Sequence, residues 1–197
     1  MEPFLILQNL EIIRNTVSLF EPLSAELRPM QWVWVRGPNG AGKSSLLSLL
    51  AHRDLEHKGK IHSCGSVFYL PQLQSPTFSI PLSLQEVSRL GQKGTPKEFD
   101  WFPRALWHKT WNNSSGGERM RALVAKALHS QAQVLLLDEI FNHIEKAAIG
   151  PLMLSIQEYL SVNHAAAILV SHVEPPLQTP GLELSQWQLI PPKGAHS

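Results

Sequence analysis

The first stretch of the chain is dominated by aliphatic positions: Phe4, Leu5, Ile6, Leu7, Leu10, Ile12 and Ile13 read as a β-strand over residues 4–13. Residues 17–27 offer one or two further strands before Pro29 interrupts, so an antiparallel β region is expected at the amino end. Trp32-Val33-Trp34-Val35 is a compact run of strand formers, followed at once by a glycine-rich loop. Beyond it Leu46, Leu47, Leu49 and Leu50 recur at helical spacing, predicting a helix over 44–52. Later segments predict strands at 67–70, 134–137 and 165–170 and helices at 82–90, 117–129 and 146–162. In the helix at 117–129, Met120, Leu123, Val124, Ala127 and Leu128 share one side. A last strand is expected at 187–190, in a proline-rich tail from Pro175 whose end should fray. Strands alternating with helices argue for an α/β fold around a parallel sheet, with functional residues at the carboxyl ends of its strands.

The stretch from Pro71 to Ser114 breaks this pattern, being rich in Pro, Trp, Lys and Gln. It reads as a small, partly helical lobe at about 73–114, inserted into a core formed by 1–72 and 115–197. A length of 197 residues suits one such domain. Apolar residues make up 43% of the chain and charged residues 17%, enough to bury a core, which excludes wholesale disorder. The formal charge of +1 supplies no basic field for nucleic acid, and no nucleic-acid partner is expected. The single cysteine, Cys64, the absence of a secretory pattern after Met1 and the lack of a membrane-length apolar run all fit a cytoplasmic setting. His52, His57, His62 and Cys64 lie close together, but their spacing matches no compact metal-ligand pattern.

Gly37-Pro38-Asn39-Gly40-Ala41-Gly42-Lys43-Ser44 fits the phosphate-binding pattern G-x-x-x-x-G-K-[ST]. Glycines let successive backbone N–H groups turn around phosphate oxygens, and a following helix adds its positive end. Lys43 would reach the β- and γ-phosphates, Ser44 would take a position on Mg²⁺, and Ser45 continues the nucleotide contact. A glycine-rich turn with a surface lysine is the bland alternative, but the strand before and the helix after occur as the motif requires. Val134-Leu135-Leu136-Leu137-Asp138-Glu139 is an apolar strand that delivers two carboxylates to a sheet edge. Asp138 suits Mg²⁺, and Glu139, one step further, suits an attacking water.

Ser115-Gly116-Gly117-Glu118-Arg119 stands at the start of a predicted helix just before that strand. Here the sequence resembles the ATP-binding cassette (ABC) family, whose signature reads LSGGQ or LSGGE. In that light Gln72 of Tyr69-Leu70-Pro71-Gln72 is similar to the family's Q-loop glutamine, and His172 of Leu169-Val170-Ser171-His172 to its switch histidine. Alone, Gln72 and His172 would be unremarkable. The resemblance, spanning about residues 4–175, implies the P-loop ABC ATPase fold and ATP and Mg²⁺ as ligands. It also implies a head-to-tail dimer in which Ser115, Gly116 and Gly117 close over the phosphate held by the opposite subunit, a second copy or a related chain, with a homodimer the expectation. Glu139 would polarise the lytic water, His172 would contact the γ-phosphate, and Gln72 would link Mg²⁺ and water to the inserted lobe.

The sequence departs from the pattern in four places. Ser114 stands where leucine is usual, Ile140 where proline is usual, and Glu145 where aspartate ends the loop Asn142-His143-Ile144-Glu145. Arg14 falls where an aromatic usually stacks on adenine; a guanidinium can stack there too, and a solvated surface arginine is the equal alternative. With Lys43, Asp138, Glu139 and His172 present, the balance favours an active ATPase over a regulatory nucleotide-binding module. The short chain favours a separate subunit, peripheral on the inner face of the cell membrane through a transmembrane permease. Trp101, Phe102, Trp107 and Trp111 in the lobe would serve either as a docking patch or as the lobe's own core. Spacing around 59–87 resembles zinc and manganese uptake ATPases, whereas residues 19–33 resemble the haem exporter of cytochrome c maturation; the leaning is to divalent metal transport.

Overall fold

The computed structural model describes residues 2–52, 54–72, 80–172 and 182–192; the start of the expected lobe and the part of the tail expected to fray lie outside them. In chain order the elements are β1 (Leu5–Arg14), β2 (Val17–Ser18), β3 (Leu23–Leu27), β4 (Gln31–Arg36), α1 (Lys43–His52), β5 (His57–Ser63) and β6 (Val67–Leu70). They continue with α2 (Leu84–Arg89), α3 (Arg104–Trp107), a 3₁₀ turn (Trp111–Asn113), α4 (Gly116–His129), β7 (Val134–Asp138), α5 (Lys146–Val162), β8 (Ala166–Val170) and β9 (Glu183–Gln188).

Five strands form a parallel sheet in the order β6-β7-β8-β4-β9. Its strands β7 and β8 are buried throughout, and apolar up to Asp138 at the end of β7, because both faces are covered. One face packs through Val33, Val35, Leu136 and Ile168 onto α1 and the antiparallel sheet of β1, β2, β3 and β5. The other face, through Trp32, Leu135, Leu137 and Leu169, packs with buried residues of α4, α5 and the lobe. Register brings the carboxyl ends together: Val35 lies opposite Val170, and Val170 is also opposite Asp138. The residues that follow these strands, Gly37, Ser171 and Glu139, therefore emerge at one edge.

Strand β5 had no signal in the sequence. Its residues are exposed except for half-buried Ile61, because it is an edge strand held by backbone pairing to β1 rather than by an apolar face. The last strand, expected at 187–190, runs instead over Glu183–Gln188, fixed by its parallel ladder with Gln31–Arg36. In the lobe Trp101, Phe102 and Trp111 are buried, and Trp101 stacks on Phe99 at 4.7 Å. Of the four aromatics in question only Trp107 is part-exposed, flanked by the guanidinium groups of Arg89 and Arg104. Trp101, Phe102 and Trp111 are thus core residues, in one cluster with Met120 of α4 and Leu152 and Ile156 of α5.

Candidate active site

The glycine-rich loop leaves β4 and enters α1 at Lys43. Gly40 and Gly42 have φ of 79° and 84°, a left-handed backbone that residues with a Cβ rarely adopt. A Cβ on Gly42 would also crowd the Leu19 side chain at 3.1 Å. Lys43 Nζ donates to the carbonyls of Gly37 (2.8 Å) and Pro38 (2.9 Å), so the loop curls around the ammonium of its own lysine. A cleft of about 330 Å³ opens over the loop. Asn39, Gly40, Gly42, Lys43, Ser44 and Ser45 form its floor, and the same cleft gathers Arg14, Gln72, Glu139 and His172. Gly37 and Pro38 line an adjoining cleft with Lys43 and His172, while Ala41 is buried beneath.

Asp138 ends β7 and is 1% exposed. Burial pushes its carboxyl above the ordinary aspartate range, against the pull of the Ser44 hydroxyl, the Gln72 backbone, the Tyr69 phenol and the Lys43 charge. Its Oδ1 is buried without a hydrogen-bond partner. Such an orphan next to a serine hydroxyl, in a site otherwise held by a lysine, fits the oxygen donor set of Mg²⁺. Glu139 is likewise pushed up by burial and by Asp138, opposed by His172, Lys43 and the Asn142 side chain. Its φ of 52° is a strained conformation for a residue with a side chain, held by its N–H donating to Val170 O at 2.9 Å. Glu139 Oε1 lies 3.3 Å from His172 Nε2, while Oε2 is buried and unpartnered. His172 itself is 65% exposed on the lip of the cleft.

Ser115, Gly116 and Gly117 do not line this cleft. Ser115 caps α4 in a reciprocal box: its Oγ accepts from Glu118 N (3.3 Å) and its N–H donates to Glu118 Oε2 (2.8 Å). Lys109 Nζ pairs with the same Oε2 at 2.7 Å. The sequence departures are absorbed locally. Ser114, buried, turns its hydroxyl to Thr110 O at 2.8 Å; Ile140 is fully buried in the core; Glu145 pairs with Arg121 at 3.3 Å. Glu145 stands at the N-cap of α5 and makes no side-chain cap bond.

Three site residues escaped the sequence reading: Tyr69, whose phenol faces Asp138; Asn142, which lines the cleft beside Glu139; and Leu19 under the loop. Asn142 follows Glu139 closely enough to have been suspected. Tyr69 becomes a neighbour through the pairing of β6 with β7, and Leu19 through the packing of the amino-terminal region against the loop. Among the described residues no group of three or more His, Cys, Asp or Glu is placed to hold a metal ion. No helix among them is long and apolar enough to cross a membrane.

A parallel sheet with a P-loop at the carboxyl end of β4 and an Asp-Glu pair at that of β7, with β8 between them, defines a nucleoside-triphosphatase of the P-loop class. Residues 20–142 match the family model described as ABC transporter, and the chain belongs to that family of ATPases, with the nucleotide-binding role it carries. It is 30% identical over 87% of its length to the cytochrome c biogenesis ATP-binding export protein CcmA of Sphingopyxis alaskensis, covering 91% of that protein. It is 26% identical over 86% of its length to the zinc import ATP-binding protein ZnuC of Mannheimia succiniciproducens, covering 67% of that protein. The fold is similar to a solved ABC transporter ATP-binding protein from Pyrococcus furiosus (TM-score 0.71, 22% identity, 94% of this chain and 96% of that one).

Proposed function

We propose that the chain is the ATP-hydrolysing subunit of a membrane transporter, working as a homodimer that closes on two ATP molecules. The observation that carries this reading is Glu139. One of its carboxylate oxygens engages His172 and the other is buried and unpartnered, on the wall of the cleft that the phosphate loop floors. A carboxylate in that state can orient a water and take its proton while His172 donates toward the transferring phosphoryl group. Lys43 and the first N–H groups of α1 hold the phosphates. Ser44 and Asp138 would hold Mg²⁺, which neutralises charge on the phosphate oxygens. Gln72, with its backbone at Asp138 and its chain leading into the lobe, ties that position to the permease-facing side. Arg14, on the cleft wall at the end of β1, stacks on the base.

Ser115, Gly116 and Gly117 sit at a helix start outside their own cleft, which supports their use on the phosphate of a second copy. The internal satisfaction of Ser114, Ile140 and Glu145 supports an active ATPase over a silent regulatory module. For cargo we favour a divalent metal ion, zinc or manganese, on the spacing of residues 59–87 and the similarity to ZnuC. Haem export is the second reading, favoured by the fuller span of the CcmA match. No nucleic acid is involved. The subunit would sit on the cytoplasmic face of the membrane through its permease. The test is Mg²⁺-dependent phosphate release by the purified chain over a range of protein concentrations, with Glu139→Gln alongside. Turnover that rises with concentration and is lost in the variant supports the reading; turnover unchanged in the variant overturns it. Stimulation of the permease-bound complex by Zn²⁺ and Mn²⁺, or by haem, separates the cargoes.

A further inference from the structure

Trp34 makes a contact that neither strand pairing nor core packing requires. The ladder between β4 and β8 ends at Val35 and Val170, so the Ser171 carbonyl lies past the last strand pair. The Trp34 indole N–H donates to that carbonyl at 2.9 Å, in a buried bond between residues 137 apart in sequence. One residue earlier, the Val170 carbonyl accepts from the Glu139 N–H at 2.9 Å. The two carbonyls on which the chain turns toward His172 are therefore both held, one by the backbone of Glu139 and the other by the strand that leads into the phosphate loop.

Trp32 marks the contrast. It stands two residues earlier on the same face of β4, fully buried, and its indole N–H has no hydrogen-bond partner. A tryptophan on this face thus fills the core without needing a bond, whereas Trp34 spends its donor on one defined carbonyl. Trp34 packs in neither large apolar cluster. The Arg36 guanidinium lies 4.7 Å over its ring, and both line a cleft of about 310 Å³ with Lys43 and His172. An N–H bond to the peptide preceding a side chain restricts where that side chain can reach, and displacements on the order of 1 Å at a reacting centre cost about a hundredfold in rate.

We propose that Trp34 is a positioning residue for hydrolysis, whose indole N–H fixes the reach of His172 toward Glu139 and the phosphate end of the cleft. This rests on the reading of Glu139 and His172 given above. It makes the strand carrying the phosphate loop and the turn carrying the histidine one mechanical unit.

Trp34→Phe keeps an aromatic ring and removes the donor. The experiment measures kcat, KM for ATP and nucleotide Kd for wild type, Trp34→Phe, His172→Ala and the double variant. Histidine ring NMR spectra of wild type and Trp34→Phe accompany it, with the His172 signal assigned by its loss in His172→Ala. The expected result is kcat lowered about tenfold, with KM and Kd within about twofold of wild type. In the His172→Ala background the same substitution should have less than about a twofold effect, since its action runs through that histidine. The His172 ring signal should shift in Trp34→Phe while the other histidine signals stay in place. An equal loss in both backgrounds, or an unmoved His172 signal, overturns the proposal. Because the NMR arm needs no turnover, a chain that binds ATP but hydrolyses none would count against the functional reading while still deciding on Trp34.

Discussion

The backbone carbonyl of His143 fills the space that a side chain at residue 117 would need: a Cβ on Gly117 would lie 2.2 Å from that oxygen. The first turn of α4 and the loop after Glu139 are therefore in direct contact, and the Arg121–Glu145 ion pair closes the same seam one helical turn on. Residues expected to face a second copy are thus tied to the strand end that carries the candidate base.

Gly117→Ala should separate that seam. The methyl group must displace backbone, so a loss of about 1–3 kcal/mol in unfolding free energy is expected, together with loss of concentration-dependent turnover. Urea unfolding and phosphate release on the same preparation check both parts. Unchanged stability would show that the loop yields freely.

Lys43→Ala removes the charge around which the loop curls. Equilibrium binding of a fluorescent ATP analogue should weaken by at least about tenfold, while the melting temperature in the absence of nucleotide changes little, since the lost bonds are to part-exposed carbonyls. Binding within twofold of wild type would remove Lys43 from the site.

Glu139→Gln should leave nucleotide affinity within a few-fold of wild type and lower turnover by at least about a hundredfold, because the amide retains the shape and loses the basicity. Titration with ATP followed by light scattering should show a longer-lived dimer than in wild type. Loss of binding and turnover together would instead indicate a role in holding nucleotide.

Glu118 carries a pH prediction. The hydrogen bond from Lys109, then the Ser115 backbone, holds its carboxyl below the ordinary glutamate range. The folded pKa is lower than the unfolded one, so the stabilisation is present above the unfolded value near 4.5 and disappears as pH falls through the folded value. Glu118→Gln should be less stable than wild type by about 1 kcal/mol at pH 7, and the gap should be smaller at pH 3. Chemical unfolding at the two pH values measures the difference; an equal gap at both would assign the effect to packing.

What the sequence by itself determined was carried by short-range pattern. The strand-loop-helix at 32–52, the apolar strand ending at Asp138-Glu139 and the serine-glycine helix start at 115–117 each put their chemistry within a few residues of the pattern that announces it. Local backbone geometry alone then dictates where those groups go, and the structure places them so. The tertiary structure decided what depends on pairing between distant segments. Strand β5 has no apolar face to advertise it and exists because β1 offers its edge. The lobe's tryptophans could have faced water or one another, and only packing against α4 and α5 made them a core. Tyr69 reaches Asp138 because β6 lies beside β7, and Trp34 reaches Ser171 because β4 lies beside β8. Side-chain spacing along a chain encodes the period of an element, not its neighbour. Contacts between elements follow from the hydrogen-bond ladder and from which apolar faces meet, and these are settled only when the whole chain folds.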